Sequence, residues 1–181
     1  MDKLRIARFF IRIGHRLGPW AQNLPAAFLS ADELAALTQR YFERPHVVAA
    51  WIQNTSVKLA PAERLFLKKY ALGRSRVLVL GAGAGREALA LARRGMRVAA
   101  VEYSPCLAAW LRDKASGQGL RIDVRESDYL SVEWVQKDAF DLIFLGLNYG
   151  SIPSRPARVA FLKKTRAFLA PDGRVFLSFF C

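Results

Sequence analysis

Val77-Leu78-Val79-Leu80-Gly81-Ala82-Gly83-Ala84-Gly85-Arg86-Glu87-Ala88-Leu89 decides the fold. Four consecutive apolar residues run into three glycines spaced two apart, and a helix-forming run follows at once. An apolar run without polar alternation belongs to a strand buried on both faces. The glycines permit a tight turn and let a ligand approach the backbone closely. The helix start behind them offers unpaired amides and the positive end of a dipole. Strand, glycine turn and helix in that order open a βαβ unit.

Working outward, the pattern repeats. Arg76–Leu80 is the first predicted strand and Arg86–Arg94 the first helix, with Gly95 as its stop. Arg97–Glu102 is the second strand. Ser104 caps and Pro105 opens a helix to about Ala115. Arg121–Arg125 and Phe140–Leu145 are the third and fourth strands. Pro156–Leu169 is a helix, Pro171-Asp172-Gly173 a turn, and Arg174–Phe180 a fifth strand. Strands that alternate with helices predict an α/β fold with a mostly parallel sheet covered on both faces.

Upstream of Ser75 the pattern is helical. Arg5, Arg8, Arg12 and Arg16 mark one face of a basic amphipathic helix over Lys3–Leu17, and Ile6, Phe9, Phe10, Ile13 and Leu17 fill the other. Ser30-Ala31-Asp32-Glu33 is a capping box that starts a helix running to about Glu43. His46–Gln53 is a further short helix, and another opens at Pro61. The expected organisation is an N-terminal helical extension or lid over residues 1–75 and a core over residues 76–181.

The 181 residues are 52% apolar, which excludes a disordered chain because enough apolar surface exists to offset ordering. No apolar run reaches the roughly 18 residues of a membrane span. Cys106 and Cys181 are too few for a disulfide scaffold or a Cys-rich zinc site, and no metal site is expected. A reducing cytoplasm is the expected compartment, with contact of residues 3–17 with a membrane surface as an addition. The net charge of +13 is spread evenly: residues 1–75 carry 12 bases and 5 acids, residues 76–181 carry 16 and 10. Such a spread favours a solvated basic surface over a dedicated nucleic-acid patch.

Glu102 stands 21 residues after Gly81, at the tip of the second strand, where a carboxylate can accept both hydrogen bonds from a ribose diol. Asp128 follows the third strand, within reach of an adenine amino group. Both lie at the carboxyl ends of parallel strands, beside the crevice where strand order reverses. Together with the glycine loop they indicate an adenosine-containing cofactor. Gly83-x-Gly85-x-x-Ala88 also fits a dinucleotide fingerprint, so a nicotinamide or flavin enzyme remains an alternative.

Five stretches in order are similar to the class I S-adenosylmethionine-dependent methyltransferases. They are Val77–Gly85, Val101-Glu102-Tyr103-Ser104-Pro105, Ser127-Asp128-Tyr129-Leu130, Phe140-Asp141-Leu142-Ile143-Phe144 and Leu169-Ala170-Pro171-Asp172-Gly173. The Arg86-Glu87-Ala88-Leu89 helix opening most resembles thiopurine-methyltransferase-like enzymes. The resemblance implies a Rossmann-like sheet in order 3-2-1-4-5 and methyl transfer from S-adenosylmethionine to a small molecule by direct displacement. It implies that Gly81, Ala82, Gly83 and Gly85 admit the methionine part of the cofactor. Glu102 would bind the ribose with Tyr103 flanking the adenine, Asp128 the adenine amino group with Tyr129 beside it. The backbone around Gly146 would line the methyl-transfer site. No general base is indicated.

The sequence departs from the family in three places. Val79 stands where an acid is frequent, which leaves the methionine amino group to a backbone carbonyl. The turn is Pro-Asp-Gly where Pro-Gly-Gly is usual. The family's C-terminal antiparallel hairpin has no counterpart before Cys181. The expectation is therefore a fragment of a longer methyltransferase, truncated after its fifth strand, or else a chain whose exposed fifth-strand edge pairs with another molecule. An RNA methyltransferase, favoured by charge alone, and a truncated non-catalytic cofactor-binding domain are the competing readings. Asn148 is read as a turn residue because the prolines of an amino-methyltransferase signature are missing. Cys106 is read as a packed helix residue, and His15 and His46 as structural. Tyr41 and Trp51 could cover the cofactor, with core packing the preferred role.

Overall fold

The computed structural model describes residues 29–56, 58–71, 75–133, 139–146, 149, 152 and 154–178. The basic helix expected over Lys3–Leu17, the turn at Asn148 and the terminal Cys181 lie outside them. The described residues fall into two compact units that part between Arg44 and Pro45. The first contains α1 (Ala31–Phe42). Its capping box forms as the sequence predicts. The Ser30 hydroxyl accepts from the Glu33 amide at 3.2 Å, and the Glu33 carboxylate accepts from the Ser30 amide at 2.8 Å.

The second unit runs α2 (Pro45–Asn54), α3 (Pro61–Tyr70), β1 (Arg76–Leu80), α4 (Arg86–Ala92), β2 (Arg97–Glu102), α5 (Pro105–Ser116), β3 (Ile122–Glu126), β4 (Phe140–Leu145), α6 (Arg155–Phe168) and β5 (Leu169–Leu177). The five strands form one sheet in the order β3-β2-β1-β4-β5, every pair parallel. The fold is the expected Rossmann-like α/β sheet. Strand order reverses between β1 and β4, the place in open parallel sheets where ligands are taken at the carboxyl ends.

Side chains alternate across a strand, so an unbroken apolar strand feeds two cores at once. Val77, Val79, Leu142 and Phe144 point to one face, where Leu67 of α3, Leu89 and Leu91 of α4, and Leu111 of α5 cover them. Leu78, Leu80, Ile143 and Leu145 point to the other, under Phe161 and Phe168 of α6. Each fully buried aliphatic side chain contributes roughly 1.5–3 kcal/mol. The central strands β1 and β4 carry the largest share and fix the sheet on which the loops stand.

Two expectations need correction. Pro171-Asp172-Gly173 does not precede the fifth strand; it lies within it. Phe140 pairs with Leu169 and Leu142 with Arg174, so the strand loops out between two paired positions. Proline offers no amide for the ladder, which suits it to such an irregularity. Gly173 is there because a β-carbon would come within 3.0 Å of the carbonyl oxygens of Ala170 and Phe140. Second, Cys106 is on a helix but is exposed, not packed. It occupies the second position of α5, on the side away from Leu107 and Leu111, which are buried. Among the described residues no helix is long and apolar enough to cross a membrane.

Candidate functional site

The glycine loop leaves β1 with all three glycines at positive φ: +66° at Gly81, +57° at Gly83 and +90° at Gly85. Residues with a β-carbon rarely adopt such angles. Crowding adds a second constraint. A β-carbon on Gly85 would collide with the buried side chain of Leu111. One on Gly83 would lie 2.9 Å from the Trp51 ring. The loop is thus held against two helices, with Ala82 and Ala84 buried between its glycines.

Backbone hydrogen bonds tie the loop to its neighbours. The Ala82 amide donates to the Val101 carbonyl at 2.9 Å, and the Ser127 amide donates to the Glu102 carbonyl at 3.0 Å. The strand ends of β1, β2 and β3 are thereby stitched side by side.

Glu102, only 7% exposed, sits at the centre of this row. One carboxylate oxygen accepts from the Gly83 amide at 2.6 Å and the other from the Ser104 amide at 2.8 Å. The spaced acid and the glycine loop are therefore in direct contact. Burial pushes the Glu102 carboxyl above its ordinary range, and the amides of Ser104, Gly83 and Tyr103 oppose that shift. With three amides directed at it, the carboxylate keeps acceptor capacity for a ribose hydroxyl. Ser104 caps α5 through the Leu107 amide, as predicted, and holds Tyr103 between two anchored residues.

Asp128 stands beyond the end of β3. Its Oδ1 accepts from the Leu130 amide at 2.9 Å, closing a turn on itself. Tyr129 is half-buried with its ring edge-on to Phe161 at 5.7 Å. Burial, with a smaller contribution from the Asp128 charge, pushes its hydroxyl up to about 12. It is a neutral phenol under all ordinary conditions. Gly146 follows β4, on the opposite side of β1 from Glu102.

Sequence reasoning passed over three residues here. Arg86 grips Glu63 of α3 with a two-pronged contact, Nη1–Oε2 at 2.9 Å and Nη2–Oε1 at 2.6 Å. Nη2 also donates to Glu87 Oε1. Glu63 is 4% exposed, and its Oε2 also accepts from the Ala60 amide at 2.6 Å. The contact raises the Arg86 guanidinium above its ordinary value, chiefly through the hydrogen bond that it donates to Glu63. Burial pushes the Glu87 carboxyl up, and the Arg86 charge opposes it. Glu87 Oε1 lies 3.7 Å from where a β-carbon on Gly146 would stand. The one available sequence signal was Glu63, placed three residues after a helix start as in a capping box. Among the described residues no cluster of His, Cys, Asp and Glu could hold a metal ion.

A parallel sheet with a reversal between β1 and β4, a left-handed glycine loop and a buried acid on the adjacent strand define a Rossmann-like domain. The chain belongs to the methyltransferase domain family, whose sequence profile matches residues 77–173, more than half of its length. Solved structures agree on the fold. An S-adenosylmethionine-dependent methyltransferase of Aquifex aeolicus superposes with a TM-score of 0.61 at 19% identity, over 74% of this chain and 71% of that one. One from Methanosarcina mazei gives 0.58 at 20% identity, over 67% and 57%. A candidate enzyme of the same type from Methanococcus maripaludis gives 0.62 at 14% identity, over 74% and 62%. The chain thus spans less than two thirds of the last two. No curated protein matches the sequence.

Proposed function

We propose that this protein transfers a methyl group from S-adenosylmethionine to a small-molecule acceptor by direct displacement. The observation that carries the reading is the contact between Gly83 and Glu102 across the carboxyl ends of β1 and β2. A loop of three glycines and two small buried alanines lets a ligand approach its backbone, and a buried, pre-oriented carboxylate beside it suits a ribose diol. The residues present fit that cofactor. The backbone of Gly81, Gly83 and Gly85 would run beside its amino-acid part, with Trp51 and Leu111 packed against Gly83 and Gly85. Glu102 would hold the ribose, Tyr103 would flank the adenine, and Asp128 and Tyr129 would border its far edge. Gly146 would face the transferable methyl group.

The cofactor's sulfonium supplies an already activated methyl group. The chain's own task is to hold donor and acceptor in line and keep water out. Ala82 and Ala84 fix the loop, the Gly83–Glu102 bond fixes its distance from β2, and Trp51 covers Gly83. No proton has to be taken by a strong base. Kinship with thiopurine-methyltransferase-like enzymes rests on the Arg86-Glu87-Ala88-Leu89 helix opening and supports a small acceptor.

Calorimetric titration tests the reading. S-adenosylmethionine is expected to bind at one saturable site, and NAD is not. Transfer of a labelled methyl group to small thiols, amines and hydroxyl compounds, but not to RNA, should follow. Binding of NAD in preference to S-adenosylmethionine would overturn the assignment.

A further inference from the structure

Helix α6 carries charge of one sign only. Its 14 residues hold Arg155, Arg158, Lys163, Lys164 and Arg166, and no acid. Among the described residues none of these cations has an acidic partner. Arg158, Lys164 and Arg166 reach only carbonyl oxygens, those of Ile152 at 2.9 Å, Leu130 at 3.0 Å and Leu169 at 3.4 Å. Two features of this arrangement oppose the helix as it stands. Arg155 and Arg158 are in its first turn, where the positive end of the dipole repels cations. Arg155 with Arg158, and Lys163 with Arg166, are like charges three residues apart, which also repel.

The cations share their face with apolar side chains. Phe161, Thr165 and Phe168 are buried on the side of α6 that packs on the sheet. By the helical period, the opposite side carries Arg155, Val159, Lys163 and Arg166, with Leu162 beside them. Val159 is 44% exposed and Leu162 37%. The segment after β3 is fastened to the same helix, through Tyr129 against Phe161 and Lys164 on the Leu130 carbonyl. It adds the Leu130 side chain, 38% exposed. Exposed aliphatic groups interleaved with uncompensated cations fit a partner that offers anions and hydrocarbon together.

We propose that the outer face of α6 docks on an anionic lipid surface. Val159 and Leu162 enter the headgroup layer, and Arg155, Lys163 and Arg166 meet the lipid phosphates. The phosphates supply the negative charge that the helix lacks, and they lie where the first-turn arginines are otherwise repelled. A nucleic acid fits this face less well, because its bases are held by stacking on exposed rings. The aromatic residues of α6, Phe161 and Phe168, are both buried. A helix of this length is about 21 Å long and lies in the plane of the surface. The docking does not depend on the cofactor reading above.

The test is co-sedimentation of the full chain with phosphatidylcholine vesicles, with and without phosphatidylglycerol. The wild-type chain should sediment with the anionic vesicles and not with the neutral ones. Arg155→Glu with Lys163→Glu should weaken that binding on the order of twentyfold or more, since each cation near an anionic leaflet contributes about fivefold. The melting temperature of the free double variant should hold or rise, because an acid then stands at the helix start. Val159→Ser with Leu162→Ser, which keeps every charge, should weaken binding severalfold at the same salt concentration. Unchanged vesicle binding by either variant overturns the proposal, as does a wild-type chain that binds neither vesicle or both equally. So does capture of polyuridylic acid that the two charge reversals abolish, in the absence of vesicle binding, which would make this a nucleic-acid surface.

Discussion

The two ends of the sheet are opposite in character. At the carboxyl ends, Glu102, Glu87 and Glu63 are partly or wholly buried and engage backbone amides or Arg86. At the amino ends, Arg76, Arg97, Arg112 and Arg121 line a broad, open depression beneath β1, β2 and β3. Arg76 has a 3.4 Å ion pair with half-exposed Asp141, and Arg112 reaches the Val124 carbonyl at 3.3 Å. Arg97 and Arg121 face solvent. Glu102, Glu87 and Glu63 stand where desolvation makes them costly and specific, and these arginines stand where water screens them. For these arginines the positive charge is therefore at the far end of the strands from the glycine loop. It supplies no argument for a polyanionic acceptor at the loop.

The sharpest attempt to break this contrast is Gly85→Val. The new side chain meets Leu111 and is forced to a φ of +90°. Overpacking costs typically about 1–3 kcal/mol, and left-handed backbone adds about 1–2 kcal/mol. Melting should fall by roughly 4 °C or more for a chain of this size. A wild-type melting temperature would show that the loop's shape is not imposed by its surroundings.

Next in size is Glu102→Ala. Removing a charge-assisted acceptor of the ribose is worth roughly 1.5–3 kcal/mol, so affinity for S-adenosylmethionine should drop on the order of tenfold or more in calorimetry. An unchanged dissociation constant in a cooperatively melting variant would reduce Glu102 to a loop staple.

The amino end should behave in the opposite way. Arg97→Ala with Arg121→Ala removes two exposed charges, and surface changes of this kind usually stay within about 0.5 kcal/mol each. Cofactor affinity should not move. A clear weakening would join the two ends functionally and undo the comparison.

The smallest effect is in pH. Burial raises the folded-state carboxyl of Glu87, so the native chain holds that proton more tightly than the unfolded one. Stability from this group is greatest below the ordinary carboxylate range and is lost as pH rises through the raised value. The melting temperature of Glu87→Gln, relative to wild type, should therefore climb between about pH 4 and pH 7. A difference that stays flat across that range would show that Arg86 fully compensates the charge.

Much of this was legible because it is local. The run Val77–Leu80 could only be a strand buried on both faces, and the glycines after it could only be a turn. Ser30 and Glu33, three residues apart, announced their own capping box. Glu102 was found by its distance from Gly81. What escaped depends on chain segments far apart. Glu63 and Arg86 are 23 residues apart and meet only when α3 packs beside α4. The outward loop in β5 arises from pairing with Phe140 and Leu142, which no local pattern in Leu169–Gly173 reveals. Cys106 was misjudged because one helix turn holds both buried and exposed positions, and only packing says which is which.

The position of Trp51 makes the loop visible to light. Its indole lies so near Gly83 that a β-carbon there would sit 2.9 Å from the ring. An indole's emission responds to the polarity and quenching groups around it. A ligand that settles on the glycine loop changes both within a few ångströms of this ring. The chain thus carries its own fluorophore at the point where occupancy matters, and Trp51→Phe identifies that part of the signal.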